Sequence, residues 1–169
     1  MRRTLTGTHA GARRGLKARR GALPYIVGLL CVGLVAVGAM CIDMSRLANL
    51  EAELQVAADA GAHAGAVQYM ATPGNQSMIL DTARSYAQRN TAMQVVPTID
   101  VAEMGTWNAV TSTFTPGAPN PNAVRIQLSV APQGLIMEIL GVGPPVVHAT
   151  AIGAPVINPG PITQAAIVY

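Results

Sequence analysis

Hydrophobic and polar positions divide this chain into stretches of different period. From Ala22 to Ile42 the sequence ALPYIVGLLCVGLVAVGAMCI carries no charge, and about 20 apolar residues in a helix cover the hydrocarbon core of a bilayer. From Asp43 the apolar positions thin to a stripe. Leu47, Leu50, Leu54, Ala57/Ala58, Gly61 and Ala64/Gly65 recur at three- and four-residue steps, the period of one helix face. Pro24 falls in the first turn, where a missing N–H is harmless, and no further Pro occurs before the ATPGN break at Ala71–Asn75. The two stretches therefore read as one long helix, a transmembrane segment over 22–42 continued by a water-exposed segment over 43–70. The stripe begins with leucines and ends in AADAGAHAGA. Small residues let another backbone approach closely, so the sheet of the domain or a partner helix is expected there.

Beyond the break, residues 71–152 read as a small domain. SMILDTARSYAQRN, Ser77–Asn90, predicts a second helix capped by Asn75 or Ser77, with Arg84 and Arg89 toward its C-terminal end. Its inner face is expected to carry Met78, Leu80 or Thr82, Ala83 and Tyr86. Thr98–Trp107 and Ser112–Thr115 predict a hairpin turning near Asn108, and Thr115–Pro121 a loop. NAVRIQLSV, Asn122–Val130, is the clearest strand: Val124, Ile126, Leu128 and Val130 alternate with Arg125, Gln127 and Ser129. Leu135–Leu140 suits one or two helical turns, and Val146–Ile152 a last strand. Residues 153–169, rich in Pro and Gly, read as a coil-like tail whose closing AAIVY is apolar enough to dock. The expected fold class is α+β: a single N-terminal transmembrane helix continuing into a long exported helix, packed on a small antiparallel sheet.

Charge adds a direction. The formal net charge is +3, but Arg2, Arg3, Arg13, Arg14, Lys17, Arg19 and Arg20 all precede the apolar run and no acidic residue occurs before Asp43. A basic tail of this kind, residues 1–20, suits nucleic acid in isolation; beside an apolar span it is more simply a topology signal. It predicts a cytoplasmic N-terminus, a lipid-bilayer anchor and an exported domain. A cleaved signal peptide is the alternative, but its apolar region spans only about 7–15 residues. Met40 before Cys41 and Leu30 before Cys31 do not suit lipoprotein processing. The two cysteines would sit about 15 Å apart along one helix, too far to bridge.

Catalytic chemistry finds little support. His9, His63 and His148 lack metal-ligand spacing, the carboxylates are scattered, and no phosphate loop or nucleophile elbow occurs. The expectation is a non-enzyme without cofactor, metal, nucleic acid or small-molecule substrate. Asp59, amid small residues, is either a locally paired helix residue or a point of recognition for another protein.

CIDMSRLANLEAELQVAADAGAHAGA, Cys41–Ala66, resembles the N-terminal signature of the TadE/TadG-like proteins of Flp (Tad) pilus assembly. The shared features are Arg19, Arg20 and Gly21 before the span, Asp43 with Arg46 three residues on, and a run like LQxAADAAALAGA, matched by Leu54, Gln55, Ala57, Ala58, Asp59, Ala60, Ala62, Ala64, Gly65 and Ala66. GTWNAVTSTFTP, NAVRIQLSV and ILGVGPPVVHATAI resemble the exported domain of short TadG-like members. The resemblance implies a structural, minor-pilin-like component contacting other Tad assembly or pilin subunits, with Asp43, Arg46, Leu54, Gln55, Ala58, Asp59, Gly61 and Gly65 as motif and partner-contact residues. The chain departs at Glu51, Glu53 and His63. Ile26 also stands where pilins cut after Gly carry Glu, so processing after Gly21 is not implied. Arg46 ends any match of Asp43-Met44-Ser45 to a von Willebrand-type metal motif. An envelope-anchored periplasmic binding module unrelated to pili is the competing class.

Overall fold

The computed structural model describes residues 22–133, 136, 138, 141, 143, 145–156 and 164–168. The basic tail at 1–20, and most of Leu135–Leu140, lie outside them. The chain divides into two compact units, one ending at Val37 and one beginning at Gly38. In the first, the described residues form the opening turns of helix α1, Ala22–Ala71, and their apolar side chains stand open on every side, Leu23, Tyr25, Leu29, Leu34 and Val35 among them. Among the described residues α1 is the one helix long and apolar enough to cross a membrane.

The second unit holds the rest of α1, helix α2 and a five-stranded antiparallel sheet. α1 ends where Pro73 and Gly74 follow it, the latter at φ +93°. Asn75 then caps α2, Gln76–Arg89, its side chain accepting from the Met78 amide. The strands are β1 Thr98–Asn108, β2 Thr113–Pro116, β3 Ala123–Val130, β4 Val147–Val156 and β5 Gln164–Val168, in the order β2-β1-β3-β4-β5. On β3 the expected alternation holds, with Val124, Ile126, Leu128 and Val130 buried. Residues 153–156 extend β4, and 164–168 pair with it from Ile152↔Val168 to Val156↔Gln164. The coil expected from the Pro/Gly content of this tail gives way there to strand, with Pro155 itself paired opposite Ala165.

The inner face of α2 also differs from expectation. Ile79, Ala83 and Ala87 are buried, while Met78 and Tyr86 are about half exposed. A one-residue rotation brings a narrower row inward, and the reason lies in α1. An added Cβ on Gly61 would meet the Ala87 Cβ at 2.8 Å and the Ala83 carbonyl oxygen at 2.9 Å. Only small residues at every fourth position of α2 fit such an approach. One turn on, a Cβ on Gly65 would meet Val124 of β3 at 3.0 Å and Ala83 at 3.1 Å. One on Gly153 of β4 would collide with the Ala62 carbonyl of α1. The small-residue stripe therefore receives both the second helix and the sheet.

Leu50, Leu54, Ile79, Ile126 and Leu128 supply the larger buried side chains, each contributing about 1.5–3 kcal/mol through burial. Gly61→Leu, lacking space for even one added carbon, should lower unfolding stability by about 1–3 kcal/mol or more through overpacking. Val110→Leu, at the open β1–β2 turn, should stay within about 0.5 kcal/mol of the parent. Denaturant unfolding of the detergent-solubilised chain measures both, and equal midpoints would show that the seam has slack.

Candidate functional site

The motif residues separate into three groups. Leu54, Ala58, Gly61 and Gly65 lie inside the domain, where they form the seam between α1, α2 and the sheet. Gln55 and Asp59 lie on its flank, both partly exposed. The Gln55 amide donates to Asp59 Oδ1 at 3.0 Å, one helical turn away, and to the Thr150 carbonyl of β4 at 3.2 Å. Gln55 thus fastens a strand to the helix and orients the Asp59 carboxylate.

Asp43 and Arg46 form the third group, nearest the apolar run. Asp43 is fully buried, and Arg46, three residues on, is partly buried. A carboxylate taken out of water needs hydrogen-bond donors. The Ile136 backbone N–H supplies one, donating to Asp43 Oδ1 at 3.0 Å. That bond joins the middle of α1 to Ile136, in the connection between β3 and β4, some ninety residues later in the chain. Glu53, where the chain departs from its resemblance, does similar service higher up by accepting from the Met93 amide at 2.6 Å.

Two clusters on the outer face of the sheet escaped the sequence reading. The register between β1 and β3 shifts between Ile99 and Val101, so Asp100 sits in a bulge. Ser129 Oγ donates to Asp100 Oδ1 at 2.8 Å, and His148 Nδ1 lies 3.4 Å from Asp100 Oδ2. The residue types are those of a hydrolase triad but the order is not. The serine is bonded to the carboxylate, whereas nucleophilic catalysis needs a serine–base hydrogen bond. Beside it Arg125 is paired with Glu103 and stacked over Phe114 at 4.8 Å from the ring centre. Neither cluster has a sequence signal, because a bulge is invisible in the strand pattern. Gly153 could have been found: Ala149, Ala151 and Gly153 alternate in HATAIGA, and small residues on one strand face signal a close backbone approach.

Among the described residues no three His, Cys, Asp or Glu converge on one point. What the molecule presents is a long helix, apolar and open at its start, whose later turns pack through small residues on an antiparallel sheet. That defines a pilin-like α+β protein with one candidate membrane span. A family model for Tad-like Flp pilus assembly matches residues 46–153, and a second, for TadE/G-like Flp pilus assembly, matches residues 21–68. The chain belongs to the Tad-like Flp pilus-assembly family. No match was found among curated proteins or among solved structures.

Replacing Asp43 tests the lowest of the three groups. Asp43→Ala leaves a buried amide without its acceptor and should cost about 1.5–3 kcal/mol, the range for hydrogen bonds to charged groups. Asp43→Asn keeps an oxygen there and should cost less. Hydrogen exchange at the Ile136 amide gives the local readout. Exchange as slow in Asp43→Ala as in the parent would show that this carboxylate does not hold the connection.

Proposed function

We propose that this chain is a structural, minor-pilin-like component of Flp/Tad pilus assembly, anchored in the bacterial inner membrane by α1 with its domain in the periplasm. The observation that carries the reading is the join between two features of one helix. The apolar run is exposed at every residue from Leu23 to Gly38, and it leads without a turn into the family-matched domain. A side-chain surface of this kind is stable in lipid and not in water. The basic residues ahead of it, Arg13, Arg14, Lys17, Arg19 and Arg20 among them, favour a cytoplasmic N-terminus.

In this reading the protein acts by binding and positioning neighbouring subunits rather than by chemistry. Leu54, Ala58, Gly61 and Gly65 hold the domain in shape. Gln55 and Asp59, partly exposed beside the seam, are the motif residues placed to meet a pilin or assembly subunit.

Two measurements test the proposal. A reporter active only outside the cytoplasm should be active when fused after Tyr169 and silent when fused after Gly15; reversed activities would overturn the orientation. Deleting the gene should reduce or abolish surface pili while pilin synthesis and cleavage continue, read as pilus count beside the mature pilin level. Normal piliation, with no second copy of the gene, would falsify the assembly role and leave an envelope-binding module in its place.

A further inference from the structure

We propose that the open face of α1 over residues 38–56 is the seam of a parallel, in-register homodimer. The buried face of this helix, with Leu50, Leu54 and Ala57, packs into the core of the domain. The opposite face has a period of its own. Gly38, Ser45 and Ala52 recur every seven residues, and Ile42, Asn49 and Val56 recur every seven between them. The steps alternate between four and three, which is the a and d pattern of a coiled coil. Ile42, Asn49 and Val56 take the a positions, and Gly38, Ser45 and Ala52 the d positions. All six are exposed, Ile42 at 54% and Val56 at 60%, so the core of the domain uses none of them. The seam is about 27 Å long at 1.5 Å per residue. It stops where the domain takes over the pattern: the next d position is Asp59, charged and partly buried, and the one after is Ala66, fully buried. A straight helix drifts by about 20° per heptad against a strict seven-residue repeat, which carries the seam round to the packed side there.

Residue chemistry selects a second copy as the occupant. The a positions are β-branched around a single Asn, a composition that favours two parallel strands and fixes their register. An Asn amide carries donors and an acceptor together. Asn49 is therefore satisfied by the same residue at the same level of another chain, across a two-fold axis. Small residues at d let the two backbones come close. None of the six carries a charge, and the flanks are compatible as well. Arg46 and Glu53 stand at e positions, Cys41 and Ala48 at g. In a parallel pair each e charge faces an uncharged g residue of the other copy, so no like charges oppose. The membrane supplies direction and height, and in this the proposal rests on the anchor reading above. Two chains held by the same apolar run point the same way and bring Asn49 to the same level.

The test uses the full chain with Cys31→Ala and Cys41→Ala, given one new cysteine and reconstituted at low density in vesicles of phosphatidylethanolamine and phosphatidylglycerol. Under mild oxidation Ser45→Cys and Ala52→Cys should each yield a disulfide-linked dimer. Glu51→Cys, exposed on another side of the same helix, should not. Adding Asn49→Asp to the Ala52→Cys chain sets two carboxylates face to face and should lower its dimer yield about tenfold. No dimer from either seam cysteine, in chains that an alkaline carbonate wash leaves in the vesicles, overturns the homodimer and leaves the anchor standing. A disulfide that forms only when Ser45→Cys and Ala52→Cys chains are mixed overturns it equally, and shows copies offset along the axis. Equal yield from Glu51→Cys, or a yield that Asn49→Asp does not change, shows collision without a seam and overturns it too. Chains released by the wash remove the anchor and the dimer together.

Discussion

The domain depends on one steric condition: three backbones must approach more closely than ordinary side chains permit. α2 crosses α1 at Gly61, β3 meets α1 at Gly65, and β4 meets it where Gly153 lies over the Ala62 carbonyl. Each contact is possible because a Cβ is missing or is the only side-chain atom. The same condition explains the alanines at 58, 62, 66, 83 and 87, which are fully buried and would be poor core residues in a domain held apart by leucine. Tight packing of this kind gains dispersion contacts rather than large transfer energies.

Much of this arrangement was legible in the sequence. The uncharged run, the three–four stripe and the ATPGN break gave α1 nearly to the residue, since long periodic segments without Pro have few alternatives. Asn122–Val130 showed its buried face by strict alternation. The small-residue run announced a close approach but not what approached, and both of its offered occupants, the sheet and a helix, are present at once. On the inner face of α2 Ala83 was placed correctly, but Met78 and Tyr86 were expected where Ile79 and Ala87 are buried, because beside Gly61 the seam selects on size. β5 was obscured by the prolines before it, one of which, Pro155, stands in β4 opposite Ala165.

Among the motif residues, position in the fold distinguishes roles that the sequence sets side by side. Asp43 and Asp59 look alike in the chain, each a carboxylate on one helix. The first is enclosed and accepts a backbone amide from a distant connection, while the second is half open and is oriented by its neighbour Gln55. The long-range partner of Asp43 has no local signature, since Ile136 contributes only its N–H. The polar clusters around Asp100 and Arg125 are equally silent, being products of strand register.

A core filled so largely with alanine and glycine has a thermodynamic consequence. Heat capacity rises on unfolding because apolar surface meets water, by about 12–15 cal/mol/K per residue in ordinary domains. Among the described residues fully buried large side chains are few, Leu50, Leu54, Ile79, Ile126 and Leu128 being the main ones, so each residue of this domain releases less apolar surface than usual. Its stability curve is correspondingly flat. The domain therefore loses little of its stability between cold and warm surroundings.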